Sequence, residues 1–168
     1  MTIEARRPEE KALVIGYGNP SRQDDGAGYH VVNMLNGCLG RPPFAQDGVG
    51  LDAPEGPVDT IWAQQLVPEL AETISQYDMA VLVDAHTGAY DEEIRIVQVR
   101  PAYLSSFVSH HMKPETLLAL ARDLYRQTPR LILVSIRGRE FEFGFELSEQ
   151  TQRLAGVALE QIKKLVSL

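Results

Sequence analysis

Asp24 and Asp25 stand side by side between a glycine-rich turn, Gly16-Tyr17-Gly18-Asn19-Pro20, and an apolar stretch with helical spacing. Carboxylate oxygens are hard ligands for divalent ions, and a second carboxylate with an imidazole would complete a mixed oxygen–nitrogen site for a borderline metal. The chain offers such partners at Glu69, beside Pro68, and at His110 and His111, just ahead of a helix opening at Pro114. Each has an ordinary reading as well. One aspartate would cap the helix while the other is a favourable first-turn acid, and Glu69 is equally a first-turn glutamate. Either histidine could be a polar residue at the surface. His30 and His86 are further imidazoles, and His86 competes because it follows a buried strand ending at Asp84.

Other chemistry is less well supplied. The turn at Gly16 lacks the third glycine of a dinucleotide fingerprint, and the carboxylates behind it would repel a pyrophosphate. Cys38 is the single cysteine, which rules out an intramolecular disulfide and a cysteine-rich zinc site and points to a reducing cytoplasm. No serine lies in a nucleophile elbow and no motif marks Cys38 as a nucleophile, so a covalent protease is not the first choice.

The elements that would position these groups follow from periodicity. Ala12-Leu13-Val14-Ile15 reads as a buried strand ending near Gly16, and Val31, Val32, Leu35 and Leu39 form a helical stripe behind the acidic pair. Leu39 to Pro57 lacks a clear period and reads as irregular connections around one short strand. Thr60-Ile61-Trp62 predicts a short strand, Pro68 a helix start with proline at its first position, and Ala80 to Asp84 another buried strand. Ile94 to Val99 predicts a half-exposed strand, and Pro114 to Tyr125 a helix with leucines at 117, 118, 120 and 124 on one face. Leu131 to Val134 closes the set of strands. Phe141 to Phe145 reads as an apolar-rich loop or short strand, and Ser148 begins a helix reaching Val166. Strands alternating with helices imply an α/β three-layer sandwich, a mostly parallel twisted sheet with helices on both faces.

With 168 residues, 44% of them hydrophobic, the chain has enough material for one substantial core, and residues 1–168 are expected to form a single domain. A formal net charge of −7 opposes binding to a nucleic-acid backbone and suits protein or small-molecule partners. No apolar run approaches the ~20 residues needed to cross a bilayer, and the charged start from Met1 to Lys11 has no signal-peptide segment behind it. A cytoplasmic protein without membrane contact is the expectation. No feature specifies self-association, so a monomer is expected too.

The sequence Gly16-Tyr17-Gly18-Asn19-Pro20 followed by Asp24-Asp25-Gly26-Ala27-Gly28 resembles the opening of the nickel-iron hydrogenase maturation endopeptidases. Further segments agree in order: Gln65 to Leu70, Val83-Asp84-Ala85, Ser109 to Pro114, and Gly144 to Ser148 before a last helix. The resemblance implies a phosphorylase/hydrolase-like fold. It also implies a metal recognised by an acid from the first loop, an acid from a middle helix and a histidine from a later loop, which carries over to Asp25, Glu69 and His110. His111 is the alternative ligand, since a one-residue shift decides between the two; the spacing to Met112 favours His110.

The implied activity is an endopeptidase that removes a short C-terminal extension from the nickel-loaded precursor of a hydrogenase large subunit. Nickel would arrive with the precursor, no organic cofactor is implied, and Asp25, Glu69 and His110 would dock the metal and place the scissile bond. A metal so held polarises a carbonyl or activates water, with a carboxylate as general base. Two alternatives stand beside this reading. One is a metal-binding assembly chaperone that cuts nothing. The other is an esterase resembling peptidyl-tRNA hydrolases, whose similar turn is followed by a histidine, here His30, and which the net charge and Asp24-Asp25 oppose.

Overall fold

The structure is a computed structural model, which describes residues 2–46, 50–51, 56–104 and 111–168. Six strands form one sheet in the order β2-β3-β1-β4-β6-β5. They are β1 (Ala12–Tyr17), β2 (Gly50–Leu51), β3 (Val58–Ala63), β4 (Met79–His86), β5 (Ile94–Gln98) and β6 (Arg130–Arg137). The inner four, β3, β1, β4 and β6, are parallel, and β2 and β5 pair antiparallel at the two edges. The near-continuous apolar runs of β1 and β4 are what a parallel strand covered on both faces requires. Ala12 to Ile15 and Met79 to Val83 have no exposed surface.

The helices are α1 (Ala27–Cys38), α2 (Leu70–Ile74), α3 (Pro114–Tyr125) and α4 (Glu149–Leu165). Alternation along the strands divides the core into two layers. Val14, Val81, Val83 and Val134 face α1 and α4, while Leu13, Ile15, Leu82 and Leu131 face α2 and α3. The three-layer α/β sandwich expected from the sequence is the fold observed.

Gly28 sets how closely α1 rides on the sheet. A Cβ there would lie 2.4 Å from the Val83 carbonyl oxygen and 2.7 Å from the Tyr17 nitrogen, distances no side chain tolerates. The first turn of α1 is thus held against the carboxyl ends of β1 and β4 by the absence of one carbon.

Two local expectations need correction. Neither aspartate caps α1: a 3-10 turn, Gln23–Gly26, intervenes, and the N-cap is Gly26 with no side-chain hydrogen bond. Pro68 does not occupy the first position of α2, because Pro68 and Glu69 form a turn and the helix begins at Leu70. Of the two readings of Phe141 to Phe145, the loop is the one observed, bridged to Arg22 at Gly144. Strand β3 is also longer than its apolar part. Its buried Asp59 is held by Arg41 at 3.4 Å and by the Tyr77 hydroxyl at 2.9 Å, and a buried charge so partnered costs far less than a free one.

Candidate active site

In open α/β sheets, ligands gather where neighbouring strands send their connections to opposite faces, at the strands' carboxyl ends. Here that point lies between β1, which continues into α1 on one face, and β4, whose chain passes through β5 to α3 on the other. A cavity of about 380 Å³ opens there. Tyr17, Gly18, Arg22 and Asp25 line it from the end of β1, Gln64, Gln65 and Leu66 from the end of β3, Asp84 and Ala85 from β4, and His111 to Pro114 from the approach to α3.

Asp25 is delivered by a backbone that only this turn chemistry allows. Gly18 has φ +128°, and a Cβ on it would come within 2.1 Å of the Asp25 carbonyl oxygen. The Asn19 amide donates to Asp25 Oδ2 at 3.0 Å, and the Asn19 side chain accepts from the Ser21 amide and hydroxyl at 3.0 and 2.6 Å. The turn therefore grips one oxygen of Asp25 and leaves the other for a ligand.

Asp84 faces it from β4. Burial pushes its carboxyl up to about 7; the Ala85 amide, which donates to it, and the neighbouring Tyr17 hydroxyl work against burial, and the charge of Asp25 adds to the rise. The Ala85 amide lies 2.7 Å from Asp84 Oδ1. Tyr17 is itself raised, first by burial and then by the Asp84 charge. Two carboxyl groups repelling one another in a partly buried cavity form a site whose electrostatics a bound cation relieves. Arg22 and Lys113 bring positive charge to the same cavity, where they could orient a peptide carbonyl or carboxylate.

Asp25 thus lies in the cavity, whereas Glu69 is exposed in the turn before α2 and is not among the lining residues. His110 lies outside the described residues. His111, the alternative imidazole, is exposed and lines the cavity. Among the described residues no three carboxylate, imidazole or thiol side chains stand close enough together to hold an ion by themselves.

The other candidates point elsewhere. Asp24 is buried and faces away from the cavity, accepting from the amides of Arg139, Glu140 and Ser148 at 2.8, 2.9 and 2.7 Å and from the Ser148 hydroxyl at 2.8 Å. Burial pushes its carboxyl up, and these donors together outweigh burial and hold it below the usual value. His86 is buried, packs edge-on against Tyr90 at 5.2 Å, and accepts from the Gly88 amide at Nδ1. His30 sits on α1 with Nε2 3.2 Å from the Phe145 carbonyl, in a separate groove against α4, so the one histidine on which an esterase would depend is absent from the cavity lining. Cys38 is an exposed free thiol.

Sequence reasoning did not select Asp84 or Tyr17. The signal was present: Asp84 closes the apolar run of β4, the same run that made His86, two residues on, a candidate.

No protein-family model and no curated protein sequence matches the chain. Solved structures do. The [NiFe] hydrogenase maturation protease HycI from Thermococcus kodakarensis KOD1 superposes with a TM-score of 0.66 at 18% identity, covering 95% of this chain and 94% of its own. The hydrogenase maturating endopeptidase HybD from E. coli gives 0.65 at 20% identity, with 90% and 89% covered. The fold is that of the hydrogenase maturation proteases. A hydrogenase 2 maturation peptidase from a Thaumarchaeota archaeon shares it with a TM-score of 0.58 at 19% identity over 92% and 96% of the two chains. Among the described residues no helix is long and apolar enough to cross a membrane.

Proposed function

We propose that this chain is a hydrogenase maturation endopeptidase, which removes the C-terminal extension of a nickel-loaded large-subunit precursor and reads the precursor's nickel through Asp25, Asp84 and a histidine of the 110–111 pair. The observation that carries the reading is the convergence of Asp25, from the turn after β1, and Asp84, from β4, on one cavity at the sheet's topological switch point. Asp84 takes the place given to Glu69 by the sequence because it lines the cavity and Glu69 does not. His111 lines it as well, and His110 is retained as its competitor.

Two carboxylates and an imidazole are donors a borderline divalent ion accepts. Such a set suits a metal that arrives already ligated by the substrate, whose coordination the enzyme completes. Docking the precursor through its metal would hold the adjoining chain in the cavity and so place the scissile bond, which is where much of a barrier reduction originates. Cleavage would then report successful metal insertion. A cytoplasmic location, where hydrogenase precursors would be loaded, belongs to the same proposal.

The test is mass spectrometry of a nickel-loaded large-subunit precursor from the same genome after incubation with the unmodified protein and with Asp25→Ala, Asp84→Ala, Glu69→Ala, His110→Ala and His111→Ala. Loss of a C-terminal peptide with the unmodified protein and with Glu69→Ala, but not with Asp25→Ala or Asp84→Ala, is the expected pattern. The two histidine variants assign the imidazole. An unchanged precursor mass throughout would replace the peptidase by a metal-binding assembly role.

A further inference from the structure

The loop between β6 and α4 reads Glu140-Phe141-Glu142-Phe143-Gly144-Phe145-Glu146, a pattern the core does not use. Phe143 is 82% exposed and Phe145 46%, and the two rings pack edge to face with centroids 5.5 Å apart. Adjacent exposed rings on an acidic surface gain far more from burial against a partner than from their contact with each other, and so point to a contact site. The loop is also rigidly held. Its two ends are fixed to Asp24, which accepts from Arg139, Glu140 and Ser148, and its middle pairs with the segment that lines the cavity. The Gly144 amide donates to the Ser21 carbonyl at 3.0 Å, and the Gln23 amide donates to the Gly144 carbonyl at 2.8 Å. Arg22, between those two residues, lines the cavity and donates to the Phe141 carbonyl at 3.3 Å. The aromatic pair is therefore presented beside the cavity by a braced backbone, the condition under which an exposed anchor binds without an ordering cost.

We infer that the Phe143–Phe145 turn is a docking surface for the folded body of the protein substrate, whose matching patch is apolar and bordered by lysine or arginine. The chemistry of that patch follows from charge. Glu142 and Glu146 flank the aromatics, are exposed, and enter none of the ion pairs among the described residues, so a cationic border on the partner would meet two available carboxylates. Behind Phe145, a groove of about 450 Å³ between α1 and α4, lined by His30, Met34, Glu146 and Leu147 among others, has room for one apolar side chain of that partner. Met34 at its rim is a residue that adapts to irregular shapes. The inference rests on the maturation reading for the identity of the substrate, but the contact is with protein surface and not with metal.

That distinction gives the test. The nickel-free precursor is the probe, with its affinity for the unmodified protein, Phe143→Ser and Glu142→Lys measured by biolayer interferometry at low and moderate salt. Both side chains are exposed, so neither substitution removes core packing. Phe143→Ser should weaken binding at least tenfold, about 1.4 kcal/mol, and Glu142→Lys should weaken it and reduce its salt dependence. Equal affinities for all three proteins, or no binding of the precursor by any, would overturn the docking surface. Cleavage of the loaded precursor, followed separately, reports on the maturation reading: docking without cleavage removes the peptidase and leaves the surface, and cleavage with unaltered affinities does the reverse.

Discussion

Asp24→Asn is the substitution whose outcome the structure constrains most tightly. The wild-type carboxylate accepts from three backbone amides and the Ser148 hydroxyl at 2.7–2.9 Å. The Thr151 hydroxyl, with one proton, stands 2.9 Å from Asp24 Oδ2 and 3.0 Å from the Arg137 carbonyl. An asparagine of the same shape must place its NH₂ at one of the two oxygen positions. At Oδ2 it would face the Arg139 and Glu140 amides, so the better choice is Oδ1, where only the Ser148 amide is orphaned. One unsatisfied buried amide costs about 1–3 kcal/mol, and each remaining bond loses about 1 kcal/mol when its acceptor is no longer ionised. Relief from burying a charge offsets part of this. The net loss comes to about 3 kcal/mol, or about 6–12 °C in melting temperature for a chain of this size. Thermal and urea unfolding at neutral pH measure it, and proteolysis within residues 139–148 should accelerate because the loop's anchor is the part removed. A variant melting within a degree of wild type, with no new cleavage there, would refute the claim that Asp24 ties this loop down.

Other expectations follow from the same geometry. Gly18→Ala forces a non-glycine residue to φ +128° and drives a Cβ to 2.1 Å from the Asp25 carbonyl; Asp25 must move, and precursor cleavage should fall on the order of a hundredfold, with wild-type cleavage counting against Asp25 as the group placed by this turn. Asp84→Asn should lower cleavage by a similar order while Glu69→Gln changes it less than about twofold, and the reverse ranking in the same assay would restore Glu69 to the site. Glu10 contributes part of the acid-side pH dependence: the Arg7 amide and guanidinium, with Arg130, hold it near 2 against an ordinary 4.5, despite an opposing effect of burial. A depressed carboxyl stabilises the fold above its unfolded pKa and loses that contribution as pH falls toward the folded one. Glu10→Gln should therefore cost about 1–2 kcal/mol at neutral pH once the exposure of Arg7 is allowed for, and the gap to wild type should close between about pH 5 and pH 2; a gap independent of pH across that range would exclude Glu10 as its source.

The layers of this fold were legible because parallel strands covered on both faces must be apolar along their length, as Ala12–Ile15 and Met79–Val83 are. Pro114 and Ser148 marked helix starts for local reasons: proline is tolerated in a first turn, and the serine hydroxyl accepts from the Thr151 amide as an N-cap. The start of α2 was harder, since a five-residue helix has too little periodicity to outweigh a turn at Pro68-Glu69. Glu69 was credible as a site residue only through that misplaced boundary and the resemblance. Asp84 was passed over because, in a linear reading, a single acid ending an apolar run is indistinguishable from the polar punctuation of any strand. Its significance depends on β4 lying next to β1, a pairing that no local pattern specifies.

The aspartate pair shows why adjacent residues of one type resist assignment by spacing. In a 3-10 turn successive side chains diverge by about 120°, so Asp24 and Asp25, one position apart in Gln23–Gly26, cannot serve the same partner. One turns inward to the loop that carries Phe143; the other lines the cavity. The dipeptide is a joint between two parts of the molecule. Asp24 fixes the loop beside the cavity and thereby restrains the turn from which Asp25 projects. If the Phe143 turn docks the substrate, the two neighbouring carboxylates divide the work of recognition, Asp24 by keeping the protein-binding surface in register with the metal-reading one. A loss of cleavage in Asp24→Asn should accordingly appear first as a rise in KM for folded precursor, whereas Asp25→Asn should chiefly lower kcat; equal effects of both substitutions on the same parameter would contradict this division.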